Sequence, residues 1–235
     1  FTKYIVRPII NATTKYRLAK VDTLKELSDI TKLLEKNDKK VIDASEIAYQ
    51  FKDKSELLAA ILHTGNESNL SKLLKGRGWG SNLESGDLDT NRWNKFVERM
   101  WSEGILNKSD YDFVQKVWDL NERLKPDAQK AHKKMYGYYF NEITSKEIVT
   151  PFGTYRGGYM PAIADSYASE SAAIREDKNA LEKDNNSYMF PTAGRGFTKS
   201  RVESYVTPLS LDLQKIPSHI DKVLRFTHIE PSVKE

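Results

Sequence analysis

Three places in this chain set an arginine among glycines with an aromatic ring beside it: Gly76-Arg77-Gly78-Trp79, Tyr155-Arg156-Gly157-Gly158-Tyr159 and Gly194-Arg195-Gly196-Phe197. Arginine offers a planar fork of donors that matches carboxylate or phosphate, and a flat ring stacks on it or on a base. Glycine lets the backbone bend through positive φ or approach another group closely. Two readings follow. The loops grip an anionic or nucleic-acid partner, or each arginine stacks on its own neighbour and ties a loop to the core. The candidate contact residues are Arg77, Trp79, Tyr155, Arg156, Tyr159, Arg195 and Arg201.

Other reactive side chains give no comparable pattern. There is no cysteine, so neither a disulfide nor a thiolate site can form. His63, His132, His219 and His228 include no His-x-x-x-His pair, and no metal site is expected. Gly194 to Ser200 has the first glycine and the Lys-Ser of a phosphate loop, but Thr198 stands where the second glycine belongs. No Gly-x-Ser-x-Gly elbow occurs. The acid pairs Asp87/Asp89, Asp110/Asp112 and Asp119/Glu122 read as a loop, a helix start and a solvated helix face. No catalytic residue and no cofactor is assigned.

The elements that must carry the arginine loops are mostly helices. Thr23-Leu24-Lys25-Glu26 has the form of a capping box opening a helix with Leu24, Leu27, Ile30, Leu33 and Leu34. Ser55 is the expected cap of a second helix through Leu62 that stops at Gly65. A short third helix ends at Gly76, read as the left-handed residue after its last turn. Thr90 or Asn91 opens a helix whose stripe is Trp93, Phe96, Val97, Met100 and Trp101, and Gly104 stops it. Ser109 is the expected cap of the next, which should be the most buried, and Pro126 kinks it or starts another. Tyr136, Tyr138, Tyr139 and Phe140 form an aromatic cluster too dense to be wholly exposed.

Residues 147–156 change period and read as a hairpin, with Pro151 and Gly153 in its turn. An exposed helix is expected over 167–184, an irregular loop over 185–200, and a last helix after Ile216-Pro217. The fold class is therefore mainly α: one helical module over 1–235 with a small β-hairpin, and a possible division near residue 145.

The net charge of +4 over 235 residues does not mark a nucleic-acid binder. Residues 1–40 nonetheless carry ten basic against five acidic side chains, an arm that suits phosphates or simply faces water. No apolar run approaches the ~18 residues of a membrane span. The start at Phe1 and the stop beside a helix lead us to expect a piece of a longer polypeptide.

Three blocks, taken in order, look like a known family. They are Leu62-His63-Thr64-Gly65-Asn66-Glu67-Ser68-Asn69 with Leu73 to Trp79, then Thr150 to Pro161, then Gly194 to Arg201 with Pro208 to Asp212 and Pro217 to Asp221. Together they resemble a segment of the large polyvalent proteins of phages and conjugative elements, over roughly residues 55–230. The resemblance implies a module of a very long polypeptide that enters the recipient cell with the DNA. Its setting would be the virion interior and then the host cytoplasm. Its partners would be other parts of its own polypeptide, virion proteins, or DNA or RNA. The resemblance carries over no catalytic residue.

Overall fold

The computed structural model describes residues 7–34, 40–169 and 207–234. The first helix, α1 (Arg7–Thr31), buries Ala12, Tyr16, Thr23, Leu27 and Ile30 along one stripe. It begins well before the expected cap, and Thr23 lies buried in its middle rather than at its start. Small or polar residues mark the buried face of its first half, so the apolar periodicity there is muted.

A hairpin that the sequence did not announce follows. β1 (Ile42–Ala44) pairs antiparallel with β2 (Tyr49–Phe51), Ile42 opposite Phe51. A single 3-10 turn, Ser45–Ile47, and a left-handed Ala48 (φ 53°) join them. Arg99 clasps this turn, donating to Glu46 Oε1 at 2.6 Å and to the Asp43 carbonyl at 2.8 Å.

α2 (Lys54–Leu62) is capped by Asp53, whose carboxylate accepts the Glu56 N–H at 3.0 Å; Ser55 lies inside the helix. After one 3-10 turn, His63–Gly65, Asn66 caps α3 (Glu67–Gly76) through the Asn69 N–H at 2.9 Å. Gly76 is the last helical residue, and Gly78 takes the positive φ of 68°. Gly76 is small for another reason: a Cβ there would meet the Thr207 carbonyl at 2.8 Å.

α4 (Asn91–Ser102) buries Trp93, Phe96, Val97 and Met100, the expected stripe, and Gly104 turns the chain at φ 69°. α5 (Lys108–Tyr136) is opened by a reciprocal capping box between Asn107 and Asp110, not by Ser109. Asp110 is also buried against Lys54 at 2.8 Å. Pro126 sits within α5, which continues to Gly137 at φ 86°.

The expected hairpin is present as β3 (Ile148–Thr150) and β4 (Gly153–Tyr155), with Thr150 opposite Gly153. The last helices are α6 (Lys215–His228) and the short α7 (Glu230–Lys234). Pro217 lies in the first turn of α6, where a missing N–H costs nothing. The helix expected from 167 and the loop expected from 185 lie almost wholly outside the described residues, and Tyr167 itself stands in a turn.

α1, α5 and α6 pack on one another. Asp221 of α6 is their polar joint: it accepts the Tyr16 hydroxyl, pairs with Lys20 at 2.5 Å and with Arg225 at 2.9 Å. Burial alone would raise its pKa, yet those three donors hold it below the usual carboxylate range. One continuous core joins residues from both sides of position 145, including Leu62, Trp118, Tyr155, Met160, Leu209 and Ile220. The described residues are thus mainly helical, with two small antiparallel hairpins.

Candidate functional site

The first two quoted blocks meet each other and the Pro208 to Asp212 part of the third. The segment that leaves β4, residues 156–161, runs along α5, and its residues register with that helix one after another. The Tyr155 hydroxyl donates to Asp112 at 3.1 Å, the Arg156 N–H to Gln115 at 2.8 Å, and Gln115 to the Gly157 carbonyl at 3.3 Å. Asn121 donates to the Tyr159 carbonyl at 3.0 Å.

Trp118 lies under this segment. A Cβ on Gly158 would come within 2.5 Å of Trp118, and so would one on Gly65. The Gly65 carbonyl accepts two N–H groups, from Lys146 at 2.8 Å and from Gly158 at 2.9 Å. Asn66 donates to the Gly158 carbonyl at 3.2 Å and Asn69 to that of Met160 at 2.8 Å. The buried His63 ring spans Asn69 Nδ2 and the Ser210 carbonyl, both at 3.3 Å, an arrangement that places its proton on Nε2.

Arg77 closes the junction. Its guanidinium pairs with Asp165 at 2.9 Å, donates to the Leu209 carbonyl at 2.6 Å, and lies over the Tyr49 and Trp79 rings at 5.5 and 5.7 Å. Its side chain is only 9% exposed. Trp79 stacks on Trp93, ring centroids 5.6 Å apart, and is core. For these two residues the loop-to-core reading holds. Asp165 is the partner that inspection of motifs missed, because nothing in its local sequence marks an ion pair 88 residues away.

Tyr155 is also internal, and burial with Asp112 beside it pushes its hydroxyl up to about 12. Arg156 points outward: its side chain is 75% exposed and pairs with Asp119 at 2.8 Å. Tyr159 is half-buried, its ring 5.7 Å from that of His219. These two rings, with Leu124, Ala128, Phe140 and Val223, line a small apolar pocket of about 40 Å³. Desolvation, with Lys222 nearby, drives His219 down to about 3, so it is neutral at physiological pH. Arg195 and Arg201 lie outside the described residues.

Of the acid pairs, Asp110 and Asp112 are engaged by the capping box, Lys54, Lys108 and Tyr155, and Asp119 by Gln115 and Arg156. Among the described residues, no three His, Asp or Glu side chains come together to hold a metal ion. Nor is any described helix long and apolar enough to cross a membrane. Comparison with family models, with curated proteins and with solved structures finds no match to this chain.

Proposed function

We propose that this chain is a non-catalytic structural and interaction module of a giant phage-type polypeptide, packaged in the virion and delivered into the host with the DNA. The observation that carries the reading is the interlocking of the quoted blocks around Gly65, Arg77 and Trp118. Gly65, Gly157 and Gly158 and the side chains of Asn66, Asn69 and Arg77 are used on neighbouring parts of the fold, as a scaffold requires, and the family resemblance supplies the setting. Of the two described loop arginines, Arg77 and Arg156, it is Arg156 that faces outward, toward a partner in its own polypeptide or a virion protein.

The test is immunodetection of the chain in purified particles of the source phage and in the soluble fraction of newly infected cells. The reading expects it in both. Presence only in cells long after infection, with none in particles, would contradict it. A second reading, a nucleic-acid-binding module, is favoured by a different surface at the far end of α5.

A further inference from the structure

The last turns of α5 expose Lys130, Lys133 and Lys134, spaced so that all three share one side of the helix. Gly137 then turns the chain back at φ 86°, which sets Tyr138 and Tyr139 beside those lysines. These two residues are 57% and 54% exposed.

The turn is pinned. His132 Nδ1 meets the Tyr138 carbonyl at 2.7 Å, and its ring packs edge-on against that of Tyr138 at 4.9 Å. Gln129 ties Phe140 through both its N–H and its carbonyl, at 2.9 and 2.8 Å. The Lys133 ammonium sits 4.6 Å over the Tyr139 ring, and Lys234 brings a further positive charge 3.9 Å over Tyr136. Asp127 pairs with Lys130 at 3.0 Å. An open cleft of about 660 Å³ runs from Tyr139 along Gln129 and Pro126, with Lys125 between Glu122 and Glu142 at its other end.

We propose that Lys130, Lys133, Lys134, Tyr138 and Tyr139 form a docking surface for single-stranded nucleic acid. The lysines take phosphates, and unstacked bases lie on the two tyrosine rings. Charge complementarity selects a polyanion. The exposed rings select a polyanion whose flat faces are available, which a duplex keeps inside its own stack. This deepens the nucleic-acid reading above but does not depend on the phage setting, so failure of the particle experiment leaves it standing.

The test is fluorescence anisotropy of the 235-residue chain against labelled oligothymidylate of about 16 nucleotides, the upper footprint of one single-strand-binding fold. Three phosphate contacts at about 0.7 each predict roughly twentyfold weaker binding when salt rises fourfold. Tyr138→Ala and Tyr139→Ala should each weaken binding about tenfold. Tyr139→Trp should preserve it, and circular dichroism should be unchanged in all three. The proposal is overturned by absence of binding at low salt, by affinity indifferent to both tyrosines, or by equally tight binding of a duplex of the same length. A protein cross-linked to this patch without any oligonucleotide binding would overturn it too.

Discussion

Gly65 rests against the Trp118 indole so closely that a Cβ on Gly65 would lie 2.5 Å from the ring, while Trp118 Nε1 donates to the Leu62 carbonyl at 3.0 Å. The helix-ending turn, the segment after the second hairpin and α5 can approach only because that Cβ is missing. Gly65→Ala should therefore cost about 1–3 kcal/mol, as other overpacked cores do. Gly157→Ala should cost more, since its φ is +73° and its Cβ would meet the Lys146 and Gly65 carbonyls at 2.1 and 2.6 Å. Urea unfolding of both variants checks the order.

Removing Arg77 leaves Asp165 and the Leu209 carbonyl without their shared donor. Arg77→Ala should destabilise by about 3 kcal/mol, the scale for breaking a buried pair. Arg77→Lys should recover only part of that, because one ammonium cannot reproduce the fork that reaches carboxylate and carbonyl together. The midpoints of urea unfolding for the two variants measure both effects.

Arg156→Ala offers the contrast. Its pair with Asp119 is exposed, so stability should change by less than about 1 kcal/mol. Capture of the module's partner should weaken while the unfolding midpoint stays in place. Isothermal titration alongside unfolding separates the two.

His219 makes stability depend on acid. Folding lowers its pKa from 6.5 to about 3, so below pH 6.5 the unfolded chain binds a proton that the folded chain refuses. Stability should fall with decreasing pH by about 1.4 kcal/mol per unit between these values. The half-buried His228, lowered by the same desolvation, acts in the same direction. Unfolding measured from pH 6.5 to 5.5, above the ordinary carboxylate range, should show the slope, and His219→Gln should flatten most of it.

The helices and the second hairpin were legible because their signals are local. Trp93, Phe96, Val97 and Met100 repeat at helical spacing, and Pro151 with Gly153 marks a turn. Boundaries were less legible where one cap competes with another: Asp53 and Asn107 cap helices for which Ser55 and Ser109 were equally plausible by type. The first hairpin escaped notice because its strands are three residues long and Ala48, not glycine, takes the left-handed φ. At the candidate site, Arg77 and Trp79 stood out by type. Whether they face a partner or the core depended on Asp165 and Trp93, which only the fold brings near.

Native-state hydrogen exchange of the Lys146 and Gly158 amides tests the central claim, that the junction around Gly65, Arg77 and Gly158 is the scaffold of this module. Both N–H groups donate to the Gly65 carbonyl at the meeting point of the blocks. The account predicts that they exchange only through global unfolding, with free energies equal to that of the α5 core and lowered together in Gly65→Ala. Exchange through local opening, while α5 stays protected, would mean that the blocks are loops laid on a core that stands without them.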